Sequence, residues 1–362
     1  MISNADKGDT DSLKALWRAC FGDSEAYTDY YFSRRYRPER TLVIRDNGAV
    51  IASSQETFHQ MPFFGETKLA AYILGVCTHP EYRGRGLMSQ LMRRALREQA
   101  RAGAFMSTLI PQEGYLFDVY RRYGFFELFY AEKTVLRLRP GGETGAALDV
   151  ISFTNADKPG DAELAKLYDF YDRMYKKFSC TLLKSFADFS FFLKSFIIFD
   201  GAVYVCLESG GDIGGVCFLE THDGKLLIKE LLCGDDAARA AILSKLFSDT
   251  GEREIGAVLP GGRGSAPLGM GRILNVPELL NAFSRFAESD ILIRVYDDII
   301  NHNNGTFLLS KNGARITDAA PDFETDIGGL FRLLARECED FNECGGSGAY
   351  DGFRPYINLM LN

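Results

Sequence analysis

The feature that most constrains this chain is a strand-like run that passes through a glycine-rich basic turn into an amphipathic helix. Lys68-Leu69-Ala70-Ala71-Tyr72-Ile73-Leu74-Gly75-Val76-Cys77 is nearly continuously apolar, the pattern of a central strand buried on both faces. Gly75 inside it marks a bulge or a close approach of backbone. The turn His79-Pro80-Glu81-Tyr82-Arg83-Gly84-Arg85-Gly86 follows. Beyond it Leu87, Leu91 and Ala95 fall in one row and Met88, Met92 and Leu96 in the next, with Arg93, Arg94, Arg97 and Glu98 on the polar face. This succession predicts a mixed α/β layer. It also predicts an anion site. N–H groups at a helix N-terminus bind phosphate oxygens, and Gly84 and Gly86 remove the Cβ atoms that would hold the anion off. Arg83 and Arg85 add positive charge. A solvated basic turn is the plainer reading of Arg-Gly-Arg by itself.

The flanking patterns complete one domain. Leu13, Leu16, Trp17, Cys20 and Phe21 recur at helical spacing, and a second, aromatic helix is expected over 27–36. Thr41-Leu42-Val43-Ile44-Arg45 and 49–58 read as strands joined by the turn Asp46-Asn47-Gly48. Pro62 and Gly65 read as a loop before the buried run. After the helix come a strand over 105–110, a short helix, the stretch Tyr120-Arg121-Arg122-Tyr123-Gly124-Phe125, and a strand ending near Arg139. The expected order is ααβββαβαβ.

Pro140-Gly141-Gly142-Glu143-Thr144-Gly145 is a linker by composition, and 149–260 repeats the order of elements loosely. Its corresponding loop reads Cys233-Gly234-Asp235-Asp236, where two carboxylates repel a pyrophosphate. Pro260 to Ser265 marks another break, and 266–362 mixes helices and strands before an apolar tail behind Gly345-Gly346-Ser347-Gly348. A chain of 362 residues, 46% hydrophobic, has length for two or three such domains and apolar material for more than one core.

Charge and cysteine usage narrow the partners. A net charge of −8 argues against nucleic acid and is compatible with a cationic amine, while an acid excess that merely keeps the chain soluble is the plainer reading. The eight cysteines and four histidines are scattered, without C-x-x-C or zinc spacing, so no metal site and no disulfide framework is expected. Neither a leader at the N-terminus nor a bilayer-long apolar run is read, so a cytoplasmic protein without a membrane partner is expected.

The strand, turn and helix together resemble the GCN5-related N-acetyltransferase (GNAT) family. Its loop pattern is Arg/Gln-x-x-Gly-x-Gly/Ala, here Arg83-Gly84-Arg85-Gly86-Leu87-Met88, with Met88 departing from the last slot. The resemblance implies acetyl-CoA (coenzyme A) as cofactor, its pyrophosphate on Arg83, Gly84, Arg85, Gly86, Leu87 and Met88, its pantetheine arm on Val76, Cys77 and Thr78. The family's closing motif matches Tyr120 to Phe125 and implies Tyr120 as general acid, with Tyr123 the alternative. A phenol of ordinary pKa about 10 stays protonated at neutral pH and donates as a departing thiolate gains charge.

The whole layout is similar to the enhanced-intracellular-survival (Eis) branch. That implies tandem GNAT-like mixed sheets with helices plus an α+β sterol-carrier-protein-like domain: 1–140 catalytic, 149–260 a degenerate second copy, 266–362 the carrier-like part. In that branch the C-terminal carboxylate serves as base, a role that falls here on Asn362, while the apolar tail reads equally as an ordinary closing strand. The implied function is transfer of acetyl to a primary amine, on a small molecule or a peptide, by direct attack in a ternary complex. An acyl-CoA sensor without turnover, or a transferase of larger acyl groups, uses the same scaffold. A homo-oligomer remains open. Glu56 and His59 read as polar side chains in water or as a proton relay, the acidic run Glu337, Glu339, Asp340, Glu343 as a solvated face or a lure for amines, and Cys77 as a structural thiol or a nucleophile.

Overall fold

The computed structural model describes residues 2–138, 148–222, 224–261, 265–337 and 355–357. In chain order, the first elements are β1 (Ile2–Asn4), α1 (Thr10–Phe21), α2 (Glu25–Arg34), β2 (Thr41–Asp46), β3 (Ala49–Phe63), β4 (Glu66–Thr78), α3 (Leu87–Arg101), β5 (Met106–Leu109), α4 (Leu116–Arg121) and β6 (Phe126–Arg137). Next come β7 (Asp149–Phe153), α5 (Asp161–Tyr175), α6 (Phe186–Ser195), β8 (Gly201–Leu207), β9 (Ile213–His222), β10 (Lys225–Cys233), α7 (Asp236–Thr250) and β11 (Glu254–Gly261). The last are β12 (Ala266–Ile273), α8 (Val276–Phe283), β13 (Ile291–Tyr296), β14 (Gly305–Ser310), β15 (Gly313–Thr317), β16 (Phe323–Asp326) and α9 (Ile327–Glu337). The described residues form two compact units. One holds those up to Phe129 and from Leu268 to Pro355; the other holds those from Tyr130 to Pro267 with Tyr356 and Ile357.

In the first unit β1, β2, β3 and β4 pair antiparallel in sequence order. β5 joins β4 in parallel and β12 joins β5 antiparallel. α1 forms because Leu13, Leu16 and Trp17 share one buried stripe, and Gly22 ends it in the left-handed conformation. α2 starts at Glu25 because the Tyr27 N–H donates to Ser24 Oγ at 3.2 Å. α3 buries Leu91, Met92, Ala95 and Leu96 against Leu42, Ile44, Ile73 and Leu109 of the sheet.

Three local expectations change. The short β1 adds a strand ahead of the expected order. β3 runs on through Pro62, which pairs with Thr67 instead of forming a loop. The register of β2 on β3 ends at Gln55, so past that point an imino acid costs the outer edge no ladder bond. The reversal falls at Phe64-Gly65, both with positive φ (48° and 79°). Lastly, Ala266–Ile273, just past the expected break at Pro260 to Ser265 and assigned to no element there, is a strand that lies beside β5, with Met270 opposite Leu109.

The residues after β12 build a second, four-stranded sheet in the order β15-β14-β13-β16, with α8 and α9. A buried network ties this part to the loop after α4. Arg272 donates to the Tyr123 carbonyl (2.7 Å) and to Asp297 Oδ1 (2.7 Å). Asp297 accepts further from the Ile299 and Ile300 N–H groups and from Asn303.

The second unit repeats the connections of the first. β7, β8, β9 and β10 are antiparallel in order, α7 follows, β11 joins β10 in parallel, and β6 from Tyr130 on pairs antiparallel with β11. Of the C-terminal tail, 355–357 are described, and they lie in no strand. Tyr356 is buried here; its N–H donates to the Cys180 carbonyl (3.3 Å) and its ring packs 4.7 Å from Phe178.

Candidate active site

The candidate site is built where β4 loses its neighbours. Its register with β5 ends at Tyr72 opposite Thr108, although β4 continues to Thr78. On the other edge it bulges: Leu74 faces Gln55 and Cys77 faces Ser53, so three steps of β4 match two of β3. Gly75 sits in that bulge with φ +57°, and a Cβ there would stand 2.7 Å from the Trp17 ring. Glycine is therefore required both for the conformation and for the space. From Gly75 to Thr78 the strand stays on β3 but lies past the end of its register with β5, so its backbone groups on that side can hold an extended polar chain such as pantetheine.

The loop that follows is braced by its own side chains. The His79 N–H donates to Ile51 O (2.8 Å), and Tyr82 OH to Asp46 Oδ2 (2.8 Å). Arg83 Nε donates to Thr78 O (3.3 Å), and Arg85 donates to Glu81 O (3.2 Å) while lying over the Tyr82 ring. Gly84 and Gly86 have φ of +78° and +73°, with no atom within 4 Å of an added Cβ. Gly86 is the N-cap of α3, which has no side-chain cap. The first-turn N–H groups of α3 thus face an open, positively charged cradle, the donor set a pyrophosphate needs. Arg83, Gly84, Arg85, Gly86, Leu87 and Met88 are contiguous there.

The equivalent helix of the second unit is closed. Asp235 caps α7, its carboxylate accepting from the Ala238 N–H at 2.8 Å. A fixed negative charge holds the place of an anion.

Tyr120, on α4, is buried in the core cluster against which Val76, Leu87 and Met88 pack. Burial, with the neighbouring Tyr123 and Tyr115 phenols, pushes its pKa up to about 12. The phenol therefore stays a proton donor. Tyr123 is in the same cluster, its carbonyl held by Arg272. Asn362 lies outside the described residues, as do Glu339, Asp340 and Glu343.

Neither Glu56 nor His59 is a freely solvated side chain. His59 is buried and bonds Thr57 Oγ1 through Nε2 (2.8 Å). Glu56 accepts from Gln99 of α3 (3.0 Å), with Arg40 at 3.6 Å, and burial raises its pKa. On the opposite face of β3, Gln55 accepts from Tyr31 OH at 2.7 Å, and its Nε2 points at Gly75. The sequence reading missed this pair. The aromatic spacing of α2 marked Tyr31, but only the strand register brings Gln55 to the bulge.

Comparison with known proteins agrees with this geometry. Residues 1–128 match the family model of an acetyltransferase (GNAT) domain, and 276–338 that of a sterol carrier protein domain. No curated protein matches the chain. Among solved structures, a probable N-acyltransferase of unknown function from Enterococcus faecalis superposes with a TM-score of 0.76 at 18% identity, covering 99% of this chain and 98% of that one. A GCN5-related N-acetyltransferase from Anabaena variabilis gives 0.74 at 16%, covering 99% and 98%. Eis1 from Mycobacterium abscessus gives 0.67 at 16%, covering 92% and 89%. No helix among the described residues is long and apolar enough to cross a membrane. The chain thus carries a GNAT-type acetyltransferase domain in its first 128 residues and a sterol carrier protein domain at 276–338.

Proposed function

We propose that the protein is an N-acetyltransferase that moves the acetyl group of acetyl-CoA to a primary amine by direct attack in a ternary complex. The observation that carries this reading is the uncapped α3 N-terminus at the end of a bulged, half-unpaired β4. When bound, acetyl-CoA supplies the activated thioester. The N–H groups of α3 and the Arg83 and Arg85 side chains hold its pyrophosphate. The backbone of Val76, Cys77 and Thr78 aligns the pantetheine arm. Fixing both reactants gives the main rate advantage, several kcal/mol by proximity. Tyr120 holds its proton at neutral pH and delivers it to the leaving sulfur. Asp235 supports the assignment of the second unit as a copy that has lost the cofactor.

The test is calorimetric titration with CoA and acetyl-CoA, followed by a panel of amines with free-thiol detection. Micromolar binding and thiol release on one amine class are expected, and Gly86→Glu should abolish binding by filling the cradle with a carboxylate. Unchanged affinity in that variant sinks the loop assignment. Binding without release on any amine favours a sensor on the same scaffold.

A further inference from the structure

Beside the cofactor strand lies a pair of thiols that acetyl transfer does not use. Cys20, near the end of α1, is half-buried; Cys77, in β4, is buried. The Cys20 thiol donates to the Thr78 carbonyl at 3.5 Å. That carbonyl also accepts from Arg83 Nε at 3.3 Å, so thiol and guanidinium meet on one oxygen. Cys77 Sγ is 3.2 Å from Ser53 Oγ, and Cys77 directly precedes Thr78, the residue whose carbonyl Cys20 meets. A partly exposed thiol that shares a carbonyl with a cation, one residue along the strand from a second thiol, meets the conditions for a reactive cysteine with a resolving partner.

We propose that Cys20 is a peroxide-reactive thiol that closes a disulfide onto Cys77, and that this modification releases the cofactor. The Cys20 thiolate attacks one peroxide oxygen and breaks the O–O bond, giving a sulfenic acid and, after protonation, water. The Cys77 sulfur then attacks the sulfenic sulfur, and its hydroxyl leaves as a second water with the Cys77 proton. Two thiols and one hydrogen peroxide become one disulfide and two waters, the thiols oxidised and the peroxide reduced.

The electrostatics give the two thiols different roles. The neighbouring Cys77 thiol, then the Arg83 guanidinium, draw the Cys20 pKa down to about 6. Cys77 is held well above the ordinary thiol range by Cys20 and by burial. Cys20 is thus the attacking thiolate, and Cys77 a protonated partner shielded from direct oxidation. The bond would fasten α1 to the bulged end of β4, between Val76 and Thr78. Cys77 would leave Ser53, and the strand end would shift toward α1. The coupling to the cofactor rests on the acetyl-CoA reading; the thiol chemistry does not.

The full-length protein would be treated with hydrogen peroxide and mapped by non-reducing peptide mass spectrometry. The expected product is a Cys20–Cys77 cross-linked peptide lighter by two hydrogens, absent in Cys20→Ser. Oxidation that leaves Cys20 unlinked, or links it elsewhere, overturns the proposal. Iodoacetamide should alkylate Cys20 before the other cysteines, with a midpoint near pH 6; a midpoint near the ordinary 8.5 argues against an activated thiol. CoA affinity, read by calorimetry, should fall at least about tenfold on oxidation (~1.4 kcal/mol) and return with dithiothreitol. A complete link with unaltered affinity overturns the coupling. Failure of the reduced protein to bind CoA would sink the acetyl-CoA reading instead, and the mass map would still decide the thiol pair.

Discussion

Tyr120, the proton donor proposed above, shows how surroundings set what one side chain can do. A phenol in water is already mostly protonated at neutral pH; burial makes it a donor across the whole working range, since its pKa is pushed up to about 12. Tyr120→Phe keeps the ring and removes the proton. Turnover should drop about 10²-fold with CoA affinity little changed, and full activity in that variant would move the acid elsewhere. In the second unit, Glu230 sits just past a bulge of β10, fully buried, accepting from Tyr175 OH at 2.6 Å. Burial raises its pKa to about 7 against the hydrogen bond from Tyr175 and the charge of Lys184. Between the ordinary 4.5 and 7 the native state therefore keeps a proton that the unfolded chain releases. Stability must fall as pH rises through that window. Glu230→Gln should flatten the fall, so its Tm should gain on the parent from pH 5 to pH 8; parallel curves would contradict the linkage.

At the scale of elements, the loop after α4 and the strand β12 depend on each other. The Arg272–Asp297 pair is fully inaccessible and saturated with hydrogen bonds, so it specifies where β12 and the segment before β14 must lie. Asp297→Ala leaves a buried guanidinium without its counter-charge and should cost about 3–5 kcal/mol by urea unfolding, whereas replacing both partners by apolar residues should cost less. None of this was readable in the sequence. Ala266-Pro267-Leu268-Gly269-Met270-Gly271 carries two glycines and a proline, which locally spell a break, and only its neighbours β5 and β6 make it a strand. Pro62 misleads for the same reason, because its tolerance depends on a missing neighbour strand. By contrast, α1, α3, the Asp46-Asn47-Gly48 turn and β4 were legible, since each is specified by its own periodicity or turn chemistry.

For the whole molecule, the same division holds for the site. The proposed anion cradle could be put forward from the sequence because its donors, glycines and cations are consecutive from Arg83 to Met88. The bulge at Gly75 was half legible: a glycine in a strand is visible, the residue count on β3 is not. Cys20 beside Thr78, and Tyr31 with Gln55, join residues from distant elements and needed the fold. The likeness of the two units was visible as an order of elements, and the closed α7 N-terminus as two consecutive aspartates.

The place of β12 has a consequence for how the chain is made. About 150 residues separate β5 from the strand that covers its edge. At roughly 5–20 residues per second on a ribosome, the first sheet waits on the order of ten seconds or more with that edge bare. During the wait an unpaired apolar edge is open to strands of other chains. Pairings this far apart in sequence also raise the entropic barrier to folding. A fragment cut after residue 128 would keep the cradle yet never receive its last strand, so its yield should suffer before its chemistry does.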